Sequence, residues 1–225
     1  MCFSAQADVV GGVVIGAIGL DVLRHVDGRR RYALLAVLPL LFAAHHLDEA
    51  LIWWGLQGHV PSKLGHVATW IYLAFAFIVL PVLVPVAILV LEPKGRRRQM
   101  MVLFVLLGAV VAGVLLAAMV RGPVTATLGP HYLGYSTDLH AGRLVVMLYV
   151  TATCGALILS GVRDIAWFGV INLLAVVVLA QLTIDGFASL WCAWAAISSA
   201  AFAIHLRYPT PRFARRSVSS MGRAT

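Results

Sequence analysis

Apolar residues run along this chain in seven long stretches, near residues 7–26, 32–57, 66–92, 99–120, 142–162, 165–183 and 186–206. Each approaches or exceeds the ~20 residues that a helix needs to cross a bilayer core. The pattern predicts an all-α polytopic membrane protein, a seven-transmembrane-helix bundle. The third stretch is long enough to tilt, and Pro81 and Pro85 are expected to kink it, leaving backbone groups that neighbours must satisfy. Connections are short except 121–141, which predicts a long external segment without its own pattern, of the kind that often covers a site. Residues 1–208 read as one membrane domain, and the basic tail 209–225 is expected to be disordered. No internal repeat stands out, which argues against an inverted-repeat transporter.

Composition agrees. Of 225 residues, 61% are hydrophobic and 12% charged, about half the charge of a soluble domain. No basic leader with a cleavage site precedes the first stretch, so the first helix is expected to anchor the chain itself. The net charge of +8 is sorted by side. Arg24, Arg29, Arg30, Arg31, Lys94, Arg96, Arg97, Arg98, Arg163, Arg207, Arg212, Arg215, Arg216 and Arg223 collect on one face of the predicted topology. Only Lys63, Arg121 and Arg143 fall on the other. The positive-inside rule then puts the N-terminus outside and the C-terminus in the cytoplasm. The charge reads as a topology signal and contact with anionic membrane lipids, not as a nucleic-acid surface.

Ionisable residues within the stretches carry the candidate chemistry. His45-His46-Leu47-Asp48-Glu49 interrupts the second stretch, where each charge costs at least ~2.5–3.5 kcal/mol near the bilayer centre. His45, Glu49 and Trp53 share one helical face, with His46 close to it and Asp48 about a quarter-turn away. Gln181, Asp185, Ser189 and Cys192 form a polar stripe entering the seventh stretch. Glu49 and Asp185 both fall in the outer half, so they are expected to meet in one chamber under the long connection. Trp53, Trp70, Tyr72, Phe187, Trp191 and Tyr135 are the expected aromatic lining. A carboxylic acid in a low-dielectric pocket resists ionisation and can serve as a general acid. Aromatic faces stabilise a developing cation. This combination suits protonation-initiated cyclisation of a prenylated lipophilic substrate. Glu49 and Asp185 would be the acidic pair, assisted by Asp48 or His45 and His46. Cys2, with Ser4 and Asp8 nearby, is expected to help close the chamber.

Several short motifs bear on family. The opening Met-Cys-Phe-Ser-Ala, Pro-Leu-Leu-Phe at 39–42 followed by Glu49, Leu-Glu-Pro at 91–93, Arg-Gly-Pro-Val-Thr-Ala at 121–126 and Leu-Trp-Cys at 190–192 resemble a bacterial multi-span family of unknown function. In that family, glutamines often stand where this chain has His45 and His46, and the position of Asp48 is apolar. The site here is therefore more ionisable. The resemblance implies a bacterial inner (plasma) membrane location and supplies no activity. Separately, the size, the seven stretches and the placing of Glu49 and Asp185 look similar to small membrane-bound terpene cyclases. That likeness implies acid chemistry with no metal or other cofactor, and it is one of layout rather than motif.

Two other readings compete. His45 or His46 with Glu49 has the helical spacing of metal ligands, and His131 and His140 would complete a zinc or copper sphere in a membrane hydrolase or redox protein. Seven-span ceramidase-like hydrolases resemble this layout but pair two histidines on the last helix, where this chain has only His205, at the wrong end. A proton-coupled transporter or receptor is the third reading, against which stand the missing repeat and the missing lysine in the seventh stretch.

Overall fold

The structure is a computed structural model that describes residues 4–25, 30–129, 132–137, 141–182 and 187–207. The described chain folds as seven helical rods and one small hairpin. The rods are α1 (Ala5–His25), α2 (Ala33–Leu56), α3 (Ser62–Leu91), α4 (Arg96–Arg121), α5 (Gly142–Ile158), α6 (Arg163–Leu182) and α7 (Phe187–Arg207). They track the seven apolar stretches closely. Five helices are long and apolar enough to cross a membrane: α1, α2, α3, α4 and Arg163–Gln181 of α6. The apolar helices Gly142–Ile158 and Ala193–His205 are shorter.

The outward faces explain why the hydropathy is so high. Helix α4 has a mean hydropathy of 2.8 in its most apolar window, yet only 28% of that window is buried by the rest of the protein. Leu103, Leu106, Val110 and Val120 all point outward. In water such a surface would aggregate; against lipid it costs nothing. Burial is therefore concentrated where helices touch. α2 is the central rod, packed along α1 and α3 and also touching α7.

Glycines let α1 approach α2. A Cβ on Gly12 would lie 3.0 Å from the Ala43 carbonyl oxygen, and one on Gly19 would lie 3.0 Å from Leu40. Small residues spaced one turn apart are the usual means of close packing between membrane helices. The α2–α3 turn is equally tight. A Cβ on Gly55 would sit 2.6 Å from the Gly65 Cα, and Gly58 takes a positive φ of 78° in the turn itself.

Pro81 does not break α3. Phe75–Val79 widens into a π-helical segment just before it, with the Leu80 N–H reaching back to the Phe75 carbonyl. The expected freed backbone group is found and satisfied: the Tyr149 hydroxyl of α5 donates to the Ala76 carbonyl at 2.8 Å. At the other end of α3, buried Glu92 accepts from Ser160 Oγ at 3.0 Å and from the Gly161 N–H at 2.6 Å. Arg98 donates to the Leu89 and Glu92 carbonyls. The Leu-Glu-Pro motif thus ties two loops together.

The segment 121–141 corrects an expectation. Rather than patternless, it contains an antiparallel hairpin, β1 (Thr125–Leu128) and β2 (Leu133–Ser136), with Ala126 opposite Tyr135 and Leu128 opposite Leu133. Leu133 is fully buried, and β1 contacts α2 and α3 while β2 contacts α7. The hairpin therefore plugs one end of the bundle, over the apolar cluster of Ala5, Ile52, Trp53, Tyr72 and Met119.

Helix α4 passes α3 at Gly108, where any side chain would run into the Pro81 carbonyl. Gly108→Ala should therefore destabilise the protein by about 1–3 kcal/mol. Gly113→Ala, with nothing within 4 Å of its Cβ, should stay within about 1 kcal/mol of neutral. Thermal unfolding of both variants in detergent checks this; equal behaviour would contradict the packing.

Candidate functional site

Asp8 lies in the first turn of α1, which Ser4 opens by accepting from the Ala7 N–H at 3.3 Å. The positive end of the helix dipole favours a carboxylate there. The buried face of α1 reads Asp8, Gly11, Gly12, Ile15, Gly19 and Val22. This face is pressed onto α2, so Asp8 is delivered to the histidine pair one turn beyond the Gly12–Ala43 contact.

Asp8, His46 and Glu49 have no exposure to solvent. Asp8 Oδ1 lies 3.1 Å from His46 Nδ1, and each of the three residues offers an oxygen or ring nitrogen within 4.8 Å of the others'. Asp8 Oδ2 and His46 Nε2 are buried and have no hydrogen-bond partner. Unsatisfied buried polar atoms of this kind are uncommon and call for an explanation. Glu49 Oε1 accepts a long hydrogen bond, 3.4 Å, from the hydroxyl of Tyr135 on β2.

Aromatic rings wall the cluster on one side. His45 stacks on Tyr72 with centroids 3.9 Å apart, and Tyr72 stacks on Tyr135 at 4.5 Å. Phe75 tilts against His45 at 4.7 Å. Trp53 is buried in the same cluster as Tyr72. The expected face of His45, Glu49 and Trp53 is thus buried as one unit, with Tyr72 and Tyr135 beside it.

Other expected residues go elsewhere. Asp48 is half-buried and outside the Asp8–His46–Glu49 group, with Oδ2 buried and unpaired. Trp70 turns to the more exposed rim, where its indole N–H donates to His66 Nε2 at 3.2 Å. Trp191 lines a separate apolar cavity of about 60 Å³, with Leu38, Phe42, Tyr149, Cys154 and Phe202. That volume is below the ~150 Å³ that holds a benzene, so the cavity as it stands admits no prenyl chain. Asp185 lies outside the described residues, as do the Phe187 side chain, His131 and His140. His205, given no role, pairs with Asp164 at 3.2 Å near the opposite end of the bundle.

Asp8 is the residue that the sequence placed only loosely, as a neighbour of Cys2. Its signal is the small-residue run Gly12, Gly16 and Gly19 that follows it at helical spacing. Such a run marks the face that meets a partner helix.

The architecture defines a class: an α-helical protein with membrane-length apolar helices and a buried carboxylate–imidazole centre under a β-hairpin. Residues 1–216 match DUF6629, a family of unknown function. The chain belongs to that family, in keeping with its resemblance to an uncharacterised one. No curated protein and no solved structure matches it.

The Tyr72–Tyr135 stack is what pins the hairpin over Glu49. Tyr135→Ala should accelerate amide hydrogen exchange across β1 and β2. Tyr135→Phe, which keeps the ring and loses the hydroxyl with its long bond to Glu49, should leave exchange near wild type. Equal exchange in both variants would show that the stack does not hold the hairpin.

Proposed function

We propose that this chain is an integral membrane enzyme that uses the Asp8–His46–Glu49 centre for acid catalysis on a lipophilic, prenylated substrate. The observation that carries this reading is the convergence of two carboxylates and an imidazole with no solvent exposure, Asp8, Glu49 and His46, with His46 Nε2 left without a hydrogen-bond partner. A structural helix clamp would use its polar atoms up in contacts; this cluster keeps His46 Nε2 unused. Asp8 is the described carboxylate that stands with Glu49. Asp185 keeps its expected role in the outer half of the chamber, untested by any contact.

The reaction that best suits an acid against an aromatic wall is proton-initiated cyclisation. A proton adds to an alkene carbon or an epoxide oxygen of the substrate. The cation so formed is attacked by the next alkene, making a carbon–carbon bond. Loss of a proton ends the sequence, so substrate and product have equal mass. Glu49 supplies the proton, and the His46–Asp8 pair beside it returns one. The rings of Tyr72, Tyr135 and Trp53 face the positive charge. Movement of the hairpin admits the substrate, since Glu49 itself has no exposure.

In the bilayer all seven rods span, with the N-terminus outside, the C-terminus in the cytoplasm, and the chain in the bacterial inner membrane. The distribution of Arg and Lys supports this orientation. It puts the hairpin and the catalytic centre toward the outer face, and Glu92 with its arginines toward the inner one.

Two measurements test this reading. With the native cysteines replaced, a cysteine at Lys63 should react with an impermeant maleimide on intact cells, and one at Arg96 only after lysis. The reverse pattern would overturn the orientation. Extracts of membranes supplied with prenylated lipids should show a mass-neutral product by chromatography and mass spectrometry. Glu49→Gln and Asp8→Asn should each lower its yield by about 10²–10⁴-fold while the protein stays monodisperse. Undiminished product in both variants would reject the assignment.

A further inference from the structure

The geometry points to a divalent cation bound by Asp8, His46 and Glu49. This inference rests on the reading of that cluster as the functional centre, and it departs from the metal-free chemistry implied by the terpene-cyclase likeness. Its third ligand comes from α1; His131 and His140, expected to complete a sphere from the long connection, lie outside the described residues.

Four features lead to it. First, the three side chains converge: each offers one donor atom, and the donors lie within 4.8 Å of one another. Two ligands held about 2.0–2.2 Å from one metal are about 3.0–3.5 Å apart at octahedral or tetrahedral angles. The 3.1 Å between Asp8 Oδ1 and His46 Nδ1 fits such an edge already, and the widest separation asks for a side-chain adjustment of about 1–2 Å. Second, Asp8 Oδ2 and His46 Nε2 are buried with no hydrogen-bond partner. A cation held between Asp8 Oδ1 and His46 Nδ1 gives the Asp8 carboxylate a partner and leaves Nε2 as the N–H side of the ring.

Third, charge balances. Two carboxylates with no solvent exposure carry two negative charges when ionised. A divalent ion neutralises both where water cannot. Fourth, the backbone holds the donors in place before any ion arrives. His46 and Glu49 are three residues apart on one helix, so they share a face. Asp8 is brought to them by the glycine contact between α1 and α2.

Among the described residues the donor set is two oxygens and one imidazole nitrogen, with no thiolate. That combination selects zinc, manganese(II) or iron(II) over copper(I). Three protein ligands leave a further position open, as in catalytic rather than structural sites. Glu49 as a ligand is ionised, so a water held there would take over from it the supply of the proton beside the Tyr135 hydroxyl.

The test uses the full chain, purified in detergent without chelator from cells supplied in turn with zinc, manganese and iron. Elemental analysis should find about one equivalent of one of these metals per chain. After chelator stripping, adding back that metal should raise the unfolding temperature. Asp8→Asn, His46→Gln and Glu49→Gln should each weaken binding at least about tenfold by calorimetric titration. Asp164→Asn, at the other end of the bundle, should bind as wild type does. Folding of every variant is checked by circular dichroism and elution volume. Less than about one-tenth of an equivalent in wild type under all three conditions, with no thermal shift on metal addition, would overturn the inference. So would wild-type affinity in the three ligand variants. The lipid-product assay, run on the same samples, separates the two proposals. Product without bound metal, lost in Glu49→Gln, rejects the cation alone. Bound metal in the expected ligands without any product rejects the cyclisation alone and leaves the cation site standing.

Discussion

The 3.1 Å contact between Asp8 and His46 depends on two long apolar helices touching almost backbone to backbone. Gly12 and Gly19 provide that approach, since a side chain at either would press on Ala43 or Leu40. Once α1 lies this close, its first turn has no solvent to face, and Asp8 must find its partner in α2. Separating either carboxylate from its partners in such surroundings is expensive. The contact is therefore both a consequence of the helix pairing and a lock upon it.

The rest of the architecture builds outward from that pair. Helix α3 folds back against α2 through the Gly55–Gly65 contact, which sets Tyr72 over His45. The hairpin adds the next layer, with Tyr135 stacked on Tyr72 and its hydroxyl toward Glu49. The π-helical segment at Phe75–Val79 lets α3 carry Pro81 without breaking, and it keeps Phe75 against His45. At the opposite end, Glu92 holds the loop between α5 and α6. Polar groups there are satisfied by backbone and hydroxyl partners, in contrast to the atoms left over around His46. That difference separates the two ends of the bundle.

Much of this could be read from the residues alone. Hydropathy located every rod to within a few residues, because nearly every position along these rods is apolar and the boundaries are marked by charge. The cost of charge inside an apolar run also singled out the run from His45 to Glu49, of which His46 and Glu49 stand with Asp8 and Asp48 does not. Asp8 was harder. A single acid near the start of a helix reads equally well as a solvated first-turn residue, and only the glycine face behind it says that the helix is pressed against another. The hairpin was missed because its strands are four residues each and mix small, polar and apolar residues, a weak signal beside helices of twenty. Trp70 and Trp191 were expected at the site because aromatic residues in membrane helices look alike in sequence. Which way each points is settled by helix rotation, which tertiary contacts decide.

The central claim is that Asp8 and His46 act as one buried unit holding the centre together. A double-mutant cycle measures this directly: reversible unfolding in mixed micelles of wild type, Asp8→Ala, His46→Ala and the double variant. A coupling energy on the order of 1–3 kcal/mol is the expected result, because each single change strands the other partner without solvent. Additivity within about 0.5 kcal/mol would mean that the two side chains do not meet in the folded protein, and the site built on their contact would fall with it.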